Sequence, residues 1–388
     1  MSGGETPGGK PRIAVYRRAF LNRSETFVRD HMLFLRRHAP TALASWCTPQ
    51  PLEVPGVPLL VARDTSLVGR VAERLPARLR GYAGDRQAVG LRAALSRLRP
   101  DLLHVHFGSD ASVVVEVAAE LGIPLVVTWH GYDATLYDEA LARSVAGRLL
   151  LARRAQILET SAATIAVSGF IADELARKGA DRTSLHVVPC GVDVERLVHT
   201  PPPVDGGLLF VGRLVQKKGL EDLLRALAGV PGAPALRVIG DGPLRAGLEE
   251  LASQLQVDVR FLGTRSTPEV AAAMRESVAV VIPSRRAANG DCEGLPVTSL
   301  EAAASGRPVI AYAHSGLRES VVDGETGLLV PEGDVEGLSA AISTLLADRD
   351  MQQQFGRAGR RHVEERFDIR ATTERIERIY DEALTVVR

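Results

Sequence analysis

The sequence runs to 388 residues, 45% hydrophobic and 24% charged, and its 47 basic and 47 acidic residues cancel to zero net charge. That length and composition describe a globular chain with enough material for two hydrophobic cores, and the balanced charge excludes an electrostatic case for nucleic-acid binding. Cys47, Cys190 and Cys292 are odd in number and widely spaced, which gives neither a disulfide framework nor zinc spacing and fits a reducing cytoplasm.

The opening MSGGETPGGKPR lacks the apolar core of a signal peptide, and no apolar run approaches the ~18 residues of a membrane span. A soluble cytoplasmic protein is the expectation. Charge is unevenly placed, with 16 arginines against six acids over residues 12–99. Solvated helix faces are the bland reading of that excess. The functional one is an anionic acceptor, or peripheral contact with the inner membrane face through this Arg-rich part.

Short apolar runs alternate with amphipathic stretches along the chain, the pattern of an α/β protein with parallel sheets. Residues 12–16, 41–46, 102–106, 125–128, 164–167 and 185–188 read as buried strands. Helical periodicity covers 25–37, 87–99, 111–121 and 141–160. The stretch 197–207 contains Pro201, Pro202 and Pro203, which can continue neither a helix nor a central strand and so read as a stiff linker. The alternation then restarts. Strands are expected at 208–211, 236–239, 259–261, 278–282, 309–311 and 328–330. Helices are expected at 220–227, 244–255, 268–275, 296–305 and 335–346, with a last amphipathic helix at 369–384. Two Rossmann-like domains follow from this, residues 1–200 and 201–368, with a ligand cleft between them as the default expectation.

Two segments carry chemistry. In NGDCEGLPVTSLEAAASGRPVIA, residues 289–311, a polar loop leads to Pro296 at a helix start and Gly306 at its stop. Unpaired amides at such a start form an anion site, and those of Gly294, Leu295 and Val297 can serve it. Glu293 in the loop and Glu301 in the helix sit where sugar or ribose hydroxyls would supply their hydrogen bonds. In LLFVGRLVQKKGLEDLLRAL, residues 208–227, a buried strand delivers Gly212 and Arg213, and Lys218 and Gly219 introduce the next helix. An arginine fork and a lysine point charge suit a diphosphate.

These segments closely resemble glycosyltransferase family 4, the retaining family with the GT-B fold. The resemblance rests on GRLVQKKG, on the two glutamates of EGLPVTSLE, on SGLRESVVDGETGLLVPEGD, on VVPCGVDVERL and on WHGYD. It runs in order from about residue 12 to 370, and SETFV and HVHFG look like the exopolysaccharide and colanic-acid branch. The resemblance implies two domains facing across a cleft, the first (1–200) for the acceptor and the second (201–368) for a nucleotide sugar. A C-terminal helix, about 369–388, would cross back to the first. It implies that Arg213 and Lys218 neutralise a diphosphate, that Glu293 binds sugar hydroxyls with Gly294 and Leu295 donating main-chain bonds, and that Glu301 holds the ribose. His130 would approach the sugar and the reacting phosphate, and Gly263, Thr264 and Arg265 would meet the base. The implied donor is a UDP or GDP sugar, with no other cofactor. The implied acceptor is a glycan, a lipid-linked glycan or a small natural product.

The first loop departs from relatives that carry a Gly-Gly pair there. It reads RRAFLNRSETFV, with Ser24 as a plausible helix cap, and Asn22, Arg23, Ser24 and Glu25 become acceptor-contact candidates. Tyr132 and Asp133 join them. A front-face transfer needs stabilisation of the leaving diphosphate and close positioning of the acceptor, so no general base is nominated. Metal is not expected. His104 and His106 point to one side of a strand but have no nearby acidic partner in sequence, and Asp348-Arg349-Asp350 reads as a helix end. Rival readings weigh less. A dinucleotide oxidoreductase lacks its fingerprint, because Arg245 stands where the third glycine of GDGPLRAG should be. A GT-B epimerase or hydrolase would turn donor over without acceptor. A glycosidase needs opposed carboxylates, whereas Glu293 and Glu301 share one loop-helix unit.

Overall fold

The computed structural model describes residues 9–22, 25–49, 51–62 and 84–386. These divide into two compact units, Met1–Val188 with Thr372–Arg388, and Pro189–Ala371. The first is built on β1 (Arg12–Phe20), β2 (Ala39–Cys47), β3 (Leu59–Val61), β4 (Leu102–His106), β5 (Leu125–Trp129), β6 (Ala163–Ala166) and β7 (Leu185–Val187). Every pairing is parallel, in the order β3-β2-β1-β4-β5-β6-β7. The second carries β8 (Gly207–Val211), β9 (Leu236–Ile239), β10 (Val259–Gly263), β11 (Ser277–Ile282), β12 (Val309–Tyr312) and β13 (Gly327–Val330). Its order, β10-β9-β8-β11-β12-β13, is again all parallel. Two Rossmann-like units are the result.

Alternation along the strands explains why both faces of the second sheet are buried. Leu208, Phe210, Ala279, Val281, Ile310 and Tyr312 face one core. Leu209, Val280, Ile282, Val309 and Ala311 face the other. In the first unit, Ile13, Val15, Ala42, Leu102, Val126 and Ile165 form a core closed by Ile379, Tyr380 and Ala383 of the last helix, Ile369–Val386. That helix is tied down by polar groups as well. Glu377 accepts hydrogen bonds from the Arg36 and Arg37 amides at 2.9 and 2.6 Å, and lies 3.2 Å from His38.

Elements absent from the sequence reading have physical reasons. Strand β3 has only three residues, none fully buried. The 18-residue helix Arg349–Arg366 turns Phe355 and Val363 inward together with Gln352, Gly356, Ala358 and Gly359, so small and polar residues break up its apolar periodicity. Asp348 does end a helix, as read, and also caps this one by accepting from the Met351 amide at 2.9 Å.

The proline run is pinned rather than free. Arg349 donates to the carbonyls of Pro202 and, at 2.9 Å, Pro203. Next to it Arg307, fully buried, gives its hydrogens to main-chain oxygens of Arg275, Ser277, Ser305 and Thr200 and to Thr200 Oγ1. Burial lowers its guanidinium to about 10. Arg307→Ala would strand those oxygens without donors, at a cost of about 3 kcal/mol or more. A lowered urea midpoint by far-UV circular dichroism is the expected result, and an unchanged one would show that water replaces the side chain.

Candidate active site

In each sheet the strand order reverses beside its first strand, and the loops leaving the carboxyl ends there diverge to opposite faces. In the second unit those strands are β8 and β11. Gly212 and Arg213 leave β8, while Gly240 leaves β9 so closely that a Cβ on it would lie 1.9 Å from the Gly212 carbonyl oxygen. The chain then makes a single turn of 3-10 helix, Gln216–Lys218, into Gly219. With φ at +65° and a hypothetical Cβ 1.9 Å from Pro283 O, that position accepts no side chain. The turn is locked to the end of β11 by the Arg285 amide, which donates to Lys217 O at 2.8 Å.

The turn aims both lysines at one carboxylate. Lys218 Nζ lies 3.2 Å and Lys217 Nζ 3.4 Å from Glu293 Oε1, and Lys217 also meets Asp291 at 3.0 Å. Glu293 is 13% exposed. Burial alone would push its carboxyl up, but the two ammonium groups outweigh that and hold it at about 2. Burial likewise opposes the Lys217 charge, and Glu293 and Asp291 raise it in net. Arg213 is exposed and has no carboxylate partner among the described residues.

Beyond Glu293, the Gly294 carbonyl accepts from the Gly316 amide at 3.1 Å. Pro296 precedes the helix Val297–Ala304, whose start has no side-chain cap. Ser299 is turned inward onto Pro296 O and Ser320 Oγ, at 2.7 and 2.8 Å. Glu301 is partly buried on the same helix and Leu295 is buried before it. The structure thus places Gly212, Arg213, Lys218, Glu293, Gly294 and Leu295 on the segments that leave two adjacent strands, and Val297 and Glu301 on the helix that follows the second. Gly263, Thr264 and Arg265 leave β10, two strands away at the sheet edge. There Gly263 O accepts from the Gly240 amide at 2.9 Å, while Thr264 and Arg265 are exposed. Lys217 and Asp291 are missing from the sequence reading. Only the turn shows which of two adjacent lysines reaches what.

In the first unit His130 leaves β5 and packs against the rings of Phe27 and Phe107, with centroids at 4.6 and 4.5 Å. Asp133 is fully buried and accepts from the amides of Gly108, Gly131 and His130 at 2.8, 2.9 and 3.2 Å. Its carboxylate is therefore turned onto the loop that carries His130. Burial raises its carboxyl, and those amides oppose the rise. Tyr132 hydrogen-bonds Ser109 Oγ at 2.7 Å. Arg17 stacks 4.2 Å from the Phe107 centroid and is paired with Asp110 and, at 2.6 Å, Glu25. Glu25 in turn accepts from the Asn22 amide at 3.0 Å. It precedes the helix Thr26–Phe34 and makes no side-chain cap bond. Arg23 and Ser24, candidates from the sequence, lie outside the described residues. His104 and His106 are joined by His31, and ring nitrogens of the three lie within 4.8 Å of one another.

Residues 198–362 match the family described as glycosyl transferases group 1, and residues 34–196 match glycosyltransferase family 4. A protein of Escherichia coli K12 named for colanic acid biosynthesis, the glycosyltransferase WcaL, is 32% identical over 284 residues, covering 70% of this chain and 68% of that one. Against its Salmonella typhimurium counterpart, 31% identical, the alignment takes in 63% of this chain and only 61% of the relative. Sucrose-phosphate synthase from Thermosynechococcus elongatus has the same fold, with a TM-score of 0.80 at 21% identity over 97% of this chain and all of that one. So does Anabaena HepE, solved with UDP-glucose, at 0.77 and 18% over 95% of this chain and 99% of that one. The two units are those of a GT-B glycosyltransferase.

Burial lowers His31 from 6.5 to about 4, and lowers His104, His106 and His130 well below their ordinary value. The unfolded chain therefore binds these protons first. Stability is full above about pH 6.5 and drains away as pH falls toward 4, by about 2 kcal/mol at pH 5 from His31 alone. Both tryptophans, Trp46 and Trp129, lie in this unit, so their fluorescence reports its unfolding. The urea midpoint should be lower at pH 5 than at pH 7.5. Equal midpoints would mean that the histidines are not held neutral.

Proposed function

We propose, from the premise that this chain belongs to glycosyltransferase family 4, that it moves a sugar with retention from a nucleotide diphosphate sugar to an acceptor hydroxyl. The observation that carries this reading is the cationic cluster at the switch point of the second sheet, where Lys217 and Lys218 meet Asp291 and Glu293 while Arg213 has no carboxylate partner among the described residues. An anion would supply that partner. A diphosphate beside the helix start at Pro296 would take Arg213 and Lys218, leaving Lys217 to keep Glu293 ionised.

Glu293 then accepts hydrogen bonds from hydroxyls of the transferred sugar, and Glu301 from the ribose. Gly294, Leu295 and Val297 offer main-chain amides, and the exposed Gly263–Arg265 loop is assigned to the base. As the glycosidic bond breaks, charge grows on the leaving phosphate, where Arg213 and Lys218 stabilise it without a metal. That oxygen can accept the proton of the incoming hydroxyl, so no side-chain base is needed. The first unit is assigned to the acceptor. There His130 is the reactive-site histidine, Asp133 shapes its loop, and Tyr132, Asn22 and Glu25 stand nearby in sequence or contact. HepE was solved with UDP-glucose and WcaL is named for colanic acid, which favours a UDP sugar and a glycan acceptor over GDP and small-molecule alternatives. Cys47, Cys190 and Cys292 are reduced thiols, which fits a cytoplasmic setting, and no described helix is long and apolar enough to cross a membrane.

Thermal-shift titration with UDP, GDP, dTDP and ADP and their sugars tests the donor. One nucleotide at a hundred times its Kd should add about 2.7 kcal/mol of native-state stability. Arg213→Ala and Glu301→Ala should abolish that shift, and Lys218→Ala should lower kcat by roughly 10²–10³. Retention of the shift in both variants would remove the proposed donor site. Donor turnover that is indifferent to added acceptor would point to hydrolysis or epimerisation instead.

A further inference from the structure

Behind His130 the first unit carries a run of buried polar side chains that the proposed function leaves unused. His130 Nε2 lies 2.9 Å from His106 Nδ1, and His106 Nε2 lies 3.3 Å from His31 Nδ1. His31 Nε2 lies 3.1 Å from Tyr380 Oη, which lies 2.5 Å from His104 Nδ1. His104 Nε2 ends the run 2.7 Å from Thr128 Oγ1. His31, His104, His106, Tyr380 and Thr128 are at most 4% exposed, and His130 is the partly open end.

The donor and acceptor count makes this run a single object. Burial and mutual repulsion keep the imidazoles neutral, so each ring has one N–H and one lone pair. Both nitrogens of His31, His104 and His106 are engaged within the run. A ring that accepts on one side must therefore donate on the other. Tyr380 has one hydrogen and no further hydrogen-bond partner among the described residues, so it passes the same direction on. Reversing one link at a ring would set two hydrogens or two lone pairs face to face, and reversing one at Tyr380 would leave its hydroxyl hydrogen without an acceptor in the core.

We propose that these six groups form one hydrogen-bond relay of a single sense, in which Tyr380 is a positioning residue that fixes which ring nitrogen of His130 carries its hydrogen. The lengths around His104 give the sense. A neutral ring can accept from only one of its two hydroxyl neighbours, and the Tyr380 contact at 2.5 Å is shorter than the Thr128 contact at 2.7 Å, so Tyr380 donates to His104, His104 donates to Thr128, and the 3.1 Å contact is His31 donating to Tyr380. All four histidines are then the Nε2–H tautomer, and His130 gives its hydrogen to His106. A lone pair, not a hydrogen, is what its Nδ1 has for whatever it meets. The close approach of His31, His104 and His106 also resembles a metal site, but a bound ion would have to break several of these hydrogen bonds. The kinetic consequence rests on the reading that His130 meets substrate. The tautomers do not.

Full-length protein carrying ¹⁵N-labelled histidine, at neutral pH, gives the tautomers by long-range proton–nitrogen correlation. Four Nε2–H rings are expected for His31, His104, His106 and His130. Tyr380→Phe should shift or average the His130 ring signals, and Thr128→Ser, which keeps the terminal hydroxyl, should preserve all four. In transfer assays Tyr380→Phe should lower kcat by about tenfold while donor KM moves less than about twofold. Should Tyr380→Phe fail to fold, Thr128→Val removes the last oxygen at similar volume and must likewise disturb His130. Mixed tautomers in the unaltered protein, His130 signals indifferent to these variants, or one equivalent of zinc by elemental analysis would each overturn the relay. Intact tautomers in a protein without transferase turnover would support the relay and sink the functional reading.

Discussion

A parallel sheet can be extended only by crossovers, and each crossover leaves its strand at the carboxyl end. In this chain that rule applies twice, because every strand pairing in both units is parallel. Loops from distant parts of the sequence are thereby collected along two sheet edges, and the reversal of strand order opens space at one point on each. Lys218 and Glu293 are 75 positions apart and meet because β8 and β11 are neighbours. Close approach at that edge is set by backbone, since Gly219, Gly240 and Gly316 sit where a Cβ would strike a carbonyl oxygen.

The two edges handle low dielectric in opposite ways. In the second unit a buried carboxylate is kept charged because two lysines outweigh its desolvation. In the first, the buried imidazoles are discharged and satisfied by one another, by Tyr380 and by Thr128. The first arrangement keeps its charges by pairing them, while the second keeps orientation.

Legibility in the sequence follows the range of the interaction. Strands β8, β9, β11 and β12 were readable because a buried parallel strand is a short apolar run between turn signals. The helix Arg349–Arg366 was not, because Gln352 and the two glycines packed on Gly306 and Ala303, Gly356 and Gly359, interrupt the apolar face that Phe355 and Val363 share. The Glu293 and Lys218 motifs stood out, as their spacing along a loop-helix unit and a strand-turn-helix unit is local. Lys217 is chemically identical to its neighbour, and only the 3-10 turn separates their partners. Asp133 reads in sequence as an acceptor-contact candidate, and only the fold shows the three amides that claim its carboxylate. His31 and Tyr380 are 349 positions apart, and nothing local announces their meeting.

The last helix gives the first unit an unusual birth order. Its segment Thr372–Arg388 is synthesised after the whole of Pro189–Ala371. Until it emerges, the core of Ile13, Val15 and Val126 lacks Ile379, Tyr380 and Ala383, and His38 lacks Glu377. The half that leaves the ribosome first is thus completed last, while the later half can finish its own core beforehand. A chain stopped a few turns short of its end would keep a whole second unit beside an unfinished first one.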